Sequence, residues 1–272
     1  MHPFFTFRQN LPPVRRLGLA TRGNTHLTQD DVWQALHAGI NYWNWCGHED
    51  GMASTVRELG SKRSDVMIAI QLESRDKAGA QRELEDNLDQ LKTDYIDVVT
   101  FYYVEHREEW QQIIGEQGAL AAMRTFKEQG SVHLTGLTTH QRSLGAEVLR
   151  SRQLDLLMAR YNAAHRAAET TLFPIAQEFE TPVVTFTSLR WKGLLQSTAE
   201  DPPNFKPPSA LDWYRLVLSN PAVAVALMAP DNRAELEHNL SLLADWRPPT
   251  KQEYEALYAH GERVRRNAGR FP

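Results

Sequence analysis

The chain has 272 residues, 42% hydrophobic and 24% charged, with a formal net charge of −4. That length suits a single α/β barrel, and the hydrophobic share is enough for a sizeable core. The mildly acidic balance, without a run of five Lys or Arg, argues against a nucleic-acid partner, and no apolar stretch is long enough to span a membrane. Leu17-Gly18-Leu19-Ala20 reads as a first strand. A helix follows with Val32, Trp33, Leu36 and His37 on one face and Thr28 as its N-cap. Asn41 to Cys46 is the second strand, and Val56 to Leu59 lies in the next helix. Val66 to Leu72 is a third strand, largely apolar as expected when both faces are covered. Leu84, Leu88 and Leu91 recur at i, i+4 and i+7 and define a helix stripe.

Tyr95 to Phe101 is the fourth strand, and a helix around Leu120, Met123 and Phe126 ends at Gly130, a natural C-cap. Val132 to Leu137 and Leu154 to Ala159 are the fifth and sixth strands, with a helix through Leu144, Val148 and Leu149 between them. A helix from Ala167 to Phe179 leads to the seventh strand, Pro182 to Phe186. A helix through Trp213, Leu216 and Val217 precedes the eighth, Val223 to Met228. The proline-rich segment Asp201 to Pro208 reads as a connector or a substrate lid. Tyr254, Leu257 and Tyr258 mark a C-terminal helix over about 250–266, packed on the exterior. Alternating strands and helices predict a (β/α)8 TIM barrel occupying 1–272 as one domain, from an N-terminal hairpin to that helix.

The single cysteine, Cys46, excludes an internal disulfide and a cysteine-built metal centre. It fits a reducing compartment. Met1 to Arg8 has neither a basic leader nor a long apolar core, so a cytoplasmic protein is expected.

Several stretches resemble the aldo/keto reductase family. Gly39-Ile40-Asn41-Tyr42-Trp43-Asn44-Trp45-Cys46-Gly47-His48-Glu49-Asp50 is similar to the family's second strand and following loop. Leu88 to Asp97, Gly130 to His140, Arg160-Tyr161-Asn162 and Ala234 to Leu240 resemble later signatures, in family order. The resemblance implies the barrel, a nicotinamide cofactor and hydride transfer to a carbonyl. In such a reaction a Tyr protonates the nascent alkoxide, a Lys lowers the Tyr pKa, an Asp holds the Lys, and a His orients the carbonyl.

On this chain those positions fall on other residues. The Asp becomes Asn44, the Tyr becomes Glu49 (His48 if the loop slips one place), the Lys becomes Gln71 and the His becomes Tyr102. Gln71 carries no charge to depress a neighbouring pKa. Asn44 and Gln71 together read as an amide pair replacing a buried ion pair, since losing both charges is easier than stranding one. Glu49 could act as an acid only if burial raised its pKa, with Tyr102 supplying a phenol. Tyr103 is expected on the opposite face by strand alternation.

The cofactor positions implied by the resemblance are mixed. Phe186 stands for the aromatic under the nicotinamide, Thr138 and Thr139 for the Ser and Asn that hold its carboxamide, and Met158 for a Gln. Asn239 keeps an adenine contact. Near the adenosine 2′ position, Asp231 and Glu235 replace basic residues and leave Arg233 as the local cation. An NAD(P) cofactor is therefore expected with NADH favoured over NADPH, while a member holding no cofactor stays open.

His48, Glu49, Asp50, His106 and His140 all follow strand ends, but they lack metal-ligand spacing, and no metal site is assigned. Cys46 reads as a buried structural thiol, and Trp43 and Trp45 as barrel filling or as walls of a substrate site. Three function classes follow. The first is an oxidoreductase with a reworked site for a small carbonyl or alcohol, in which ordinary NADPH-dependent reduction is not expected. The second is a catalytically inactive relative that binds a ligand or partner at the barrel mouth. The third is a metal-assisted hydrolase or lyase.

Overall fold

The computed structural model describes residues 1–21 and 26–267. An antiparallel hairpin, β1 (Phe4–Phe5) and β2 (Val14–Arg15), precedes the barrel. The first half then runs β3 (Leu17–Ala20), α1 (Gln29–His37), β4 (Tyr42–Asn44), α2 (Gly51–Glu58), β5 (Met67–Leu72), α3 (Lys77–Leu91), β6 (Ile96–Phe101), α4 (Arg107–Ile114) and α5 (Ala119–Gln129). The second half runs β7 (Val132–Thr139), α6 (Arg142–Ser151), β8 (Leu156–Arg160), α7 (Ala168–Thr171), α8 (Phe173–Glu178), β9 (Val183–Phe186), α9 (Ala210–Ser219), β10 (Val223–Met228), α10 (Arg233–Leu240) and α11 (Lys251–Asn267). Strands β3 to β10 pair in parallel and in order, and β10 returns to β3, closing the barrel through Ala226 opposite Leu17. This is the eight-stranded α/β barrel that the alternating pattern predicts.

Alternation along the strands builds two apolar layers. Inside the barrel, Tyr42, Met67, Ala69, Val98, Leu134 and Val184 pack together. The hairpin region plugs the amino-terminal end of that interior with Phe5 and Phe7, the latter stacked on Tyr42 at 5.8 Å between ring centroids. Outward-facing strand residues pack under the helices in the larger core. Trp43 and Trp45 belong there and not to the barrel interior, because Tyr42 and Asn44 take the inward positions. Their indole N–H groups donate to Ile40 O and His48 O, each at 2.8 Å.

Local chemistry sets the element ends. The Thr28 hydroxyl caps Asp31 N at 3.3 Å, and the Asp31 carboxylate accepts from Thr28 N at 2.8 Å, a reciprocal capping box. Gly130 ends α5 in the left-handed region at φ +81°, which explains a glycine there. Three expectations need correction. The buried face of α1 is Asp31, Val32 and Ala35, while His37 is exposed. The helix expected over 167–179 is two short pieces, because Pro174 lacks the N–H that would continue the first. Helix α4 escaped the periodicity because it buries only Trp110 and Ile113. The C-terminal helix, Lys251–Asn267, lies where its pattern placed it. Among the described residues no helix is long and apolar enough to cross a membrane.

Candidate active site

A cavity of about 640 Å³ opens at the carboxyl-terminal end of the barrel. The ends of β4, β5, β6, β7, β8 and β9 contribute Asn44, Gln71, Tyr102, Thr138, Met158 and Phe186 to it. On the far side, the segments after β9 and β10 bring Lys192, Glu235 and Asn239. Eight of the ten residues singled out from the sequence therefore meet around one space, and Glu49 and Thr139 do not. Glu49 lies on the following loop with 70% of its side chain exposed and ion-paired to Arg57. The Arg57 hydrogen bond lowers its carboxyl pKa, the wrong direction for an acid. Thr139 alternates to the other side of the wall, where its hydroxyl accepts from Gln141 N at 3.0 Å.

The expected amide pair does not form. Asn44 Nδ2 lies 3.5 Å from Cys46 Sγ, and Gln71 Nε2 lies 3.8 Å from Met158 Sδ. The register explains it: Asn44 is opposite Ala69, so Gln71 sits a full strand repeat further along. A lysine side chain is one bond longer than glutamine and better suited to that gap. Cys46 is half-buried and lines the cavity, and so is not the buried structural thiol expected.

Tyr103 also departs from expectation. The strand ends at Phe101, and Tyr103 adopts φ +39°, a left-handed conformation that abolishes the alternation assumed for it. Tyr102 and Tyr103 both line the cavity, with ring centroids 4.2 Å apart. Burial raises the Tyr102 pKa, and burial together with the Tyr102 phenol pushes Tyr103 up to about 12. Tyr103 stacks on His140 at 4.6 Å, and His140 Nδ1 lies 3.1 Å from a Glu105 carboxylate oxygen.

Lys192 was not identified from the sequence. It bridges Asp231 at 2.7 Å and Glu235, and both carboxylates raise its pKa. Arg233, expected to be the local cation, turns away to Asp31 at 3.0 Å. The available signal was position: Lys192 follows β9 by a short loop, on the face where barrel enzymes keep their sites. That loop is strained, with Thr187, Arg190, Trp191 and Lys192 at φ between +50° and +65° without a glycine among them. Trp191 stands 56% exposed at the cavity lip. The segment around Pro208 forms another wall, pinned by Asp201 to Arg263 at 2.6 Å and to His260 at 3.3 Å on α11.

Among the described residues, five buried oxygens around the cavity have no protein partner: Thr21 Oγ1, Asn44 Oδ1, Thr138 Oγ1, Thr187 Oγ1 and Ser188 Oγ. A buried polar group left unpaired costs about 1–3 kcal/mol. All five belong to residues that line the cavity. Phe186 adds an aromatic face, and the lining extends from the strand ends to Asn239 on α10. The rim residues His48, Glu49, Asp50, His106 and His140 do not converge. Asp50 caps α2 through Ala53 N at 2.8 Å, and His106 stands at the start of α4. Among the described residues no group of three His, Cys, Asp or Glu could hold a metal ion.

A closed eight-stranded parallel barrel with surrounding helices and a cavity at its carboxyl-terminal mouth places the chain among the (β/α)8 barrel proteins. Residues 17–214 match the model of the aldo/keto reductase family, and the chain belongs to that family. Members generally bind NAD(P)H. No curated protein matches the chain. The holo form of an aldo-keto reductase from Bacillus halodurans is similar in structure, with 18% identity, 93% of this chain and 92% of that chain covered, and a TM-score of 0.72. An aldo/keto reductase from Brucella melitensis is similar at 16% identity, with 96% and 98% covered and a TM-score of 0.72.

Proposed function

We propose that the mouth cavity binds a nicotinamide dinucleotide, NADH in preference to NADPH, together with a small carbonyl compound, and that Tyr102 and Tyr103 protonate the carbonyl oxygen in a slow reduction. The observation that carries this reading is the ring of unpartnered buried oxygens, supplied by residues that line the same cavity as Phe186 and Asn239. When bound, the dinucleotide supplies the hydride. Thr138 and Ser188 offer hydroxyls to its polar groups, and Phe186 offers a ring face for stacking.

The coenzyme preference follows from charge. Among the described residues, Lys192 is shared by Asp231 and Glu235, and these three groups together carry a net negative charge. A 2′-phosphate brought there meets two carboxylates and, among the described residues, no further cation on the cavity wall, whereas ribose hydroxyls can donate to a carboxylate.

The slow rate follows from the phenols. No lysine stands where one would lower their pKa, and burial raises both. A phenol held protonated can give a proton to an alkoxide but cannot take one from an alcohol near neutral pH. The site therefore favours reduction over alcohol oxidation. The same missing cation favours a second reading, a binding protein with no turnover.

Calorimetry with NADH and NADPH side by side tests the binding claim. NADH should bind more tightly, and Asp231→Asn with Glu235→Gln, which releases Lys192, should level or reverse the order. Tighter NADPH binding by the unmodified chain would overturn it. Aldehyde reduction should run well below the roughly 1 s⁻¹ at the low end of ordinary enzymes; Tyr102→Phe or Tyr103→Phe should lower it and the double change should remove it. Ordinary rates would refute the proton-donor argument, and NADH binding without turnover would select the second reading.

A further inference from the structure

A second cavity, about 340 Å³, lies behind the first on the outer side of the barrel wall. Strand alternation separates the two. Thr138 and Met158 pair across β7 and β8 and face the mouth, whereas the next pair, Thr139 and Ala159, faces the second cavity. None of the described residues lining one also lines the other.

The walls of this second space are basic. Arg142 comes from the first turn of α6, Arg160 from the end of β8, Arg166 from the segment before α7 and Arg265 from α11, with His140 and His165 among them. Among the described residues the lining thus holds four guanidiniums and one carboxylate, Glu262, which pairs with Arg265 at 2.9 Å. Glu169, outside the lining, takes Arg166 at 2.9 Å, and Glu105 approaches His140 at 3.1 Å. Arg142 forms no ion pair with the described residues. The positive surplus sits in a concave, partly buried space, where screening is weaker than on an open surface.

A group inside the cavity registers that field. His165 is pushed down to about 4, first by burial and then by Arg160, Arg190, Arg142 and Arg265. The ten-residue helix α6 begins on the same wall, so the positive end of its dipole adds to the effect. The field extends toward the mouth through His140, which lines this cavity and stacks on Tyr103.

We infer that the second cavity is a binding site for a phosphate group, either inorganic phosphate or the phosphate of a small phosphomonoester. Guanidiniums suit this ligand because their paired N–H donors match two oxygens of a tetrahedral oxyanion, and several can share its double charge. The volume lies in the range of small-molecule sites and leaves room for an ester substituent. The site is independent of the dinucleotide reading, since it shares no lining residue with the mouth.

The test uses the full chain and inorganic phosphate, with chloride and acetate at matched ionic strength, followed by calorimetry and by NMR of the histidine ring protons. Phosphate should bind saturably and raise the His165 pKa, because a dianion then lies among the cations that hold it down. Arg142→Gln and Arg265→Gln, at exposed positions that leave the core intact, should each weaken phosphate about tenfold, the effect of one charge-assisted hydrogen bond. Lys192→Gln should leave this binding unchanged. Glycerol 3-phosphate binding more tightly than phosphate would assign the site to esters, and equal binding to inorganic phosphate. An unshifted His165, an equal response to chloride, or binding lost in Lys192→Gln but kept in Arg142→Gln would overturn the inference.

Discussion

The two ends of the barrel treat buried polar groups in opposite ways. At the amino-terminal end, Asp97 accepts from Ile68 N at 2.9 Å and pairs with Arg63 at 2.9 Å and His133 at 3.2 Å. Asp155 accepts from Thr135 N at 2.7 Å and pairs with Lys127 at 2.6 Å and with Arg8. Arg16 donates to the carbonyls of Leu218 at 2.9 Å and Val223 at 2.6 Å. At the carboxyl-terminal end, Asn44 on β4, Thr138 on β7 and Ser188 just after β9 carry buried oxygens with no partner among the described residues. The Asp97, Asp155 and Arg16 groups are satisfied within the protein, whereas the cavity oxygens have no partner among the described residues. The usual division of labour in these barrels, stability below and function above, is therefore visible in hydrogen bonding alone.

Substitutions at the two ends should separate accordingly. Asp97→Ala should cost the most, about 3–5 kcal/mol in urea denaturation, because it strands Arg63 in a buried setting. A cost near zero would show that the lower network is dispensable. Asp155 gives a smaller effect that depends on pH. Its folded pKa is lowered, against the cost of burial, chiefly by Lys127 and Thr135 N. Its stabilisation is therefore present above the unfolded value near 3.9 and lost as pH falls through the folded value. Asp155→Asn should be less stable than the parent at pH 7, and the gap should narrow below about pH 4; a constant gap would break the account.

At the other end, Thr138→Val and Ser188→Ala should leave stability within about 1 kcal/mol of the parent or raise it, since each removes an unpaired buried hydroxyl. Both should weaken NADH binding in the same calorimetric titration, and a large stability loss with unaltered binding would reverse the assignment. The smallest effect is expected on the rim. Glu49→Gln breaks only an exposed ion pair, worth roughly 0–1 kcal/mol, and should alter neither cofactor binding nor turnover.

The fold was legible because parallel strands covered on both faces read as unbroken apolar runs, as at Val223 to Met228. Caps with a definite chemistry, Thr28 and Gly130, were legible for the same local reason. The mouth was legible where a strand end fixes a side chain, as at Asn44, Gln71 and Thr138. It was not legible where the backbone leaves the strand. Tyr103 could not be placed by alternation, because its left-handed backbone lies beyond the last ladder residue. Glu49 could not be excluded from the mouth, because its loop is fixed by a partner eight residues away, Arg57. Lys192 was hidden because its role depends on Asp231 and Glu235, carried by a different βα unit.

Closure of the barrel through Leu17 and Ala226 has a consequence for how the chain reaches this state. The first barrel strand waits for the last, so the seam joining them is the strand pairing most distant in sequence, the kind that forms slowly in any search. A nascent chain halted before Val223–Met228 holds seven strands with an open edge on β3 and another on β9. Both edges present unpaired backbone donors and acceptors, a ready template for joining another unfinished copy. The vulnerable moment of this protein is thus the interval before the seam is sewn, and premature termination in that interval should yield aggregates, not a smaller barrel.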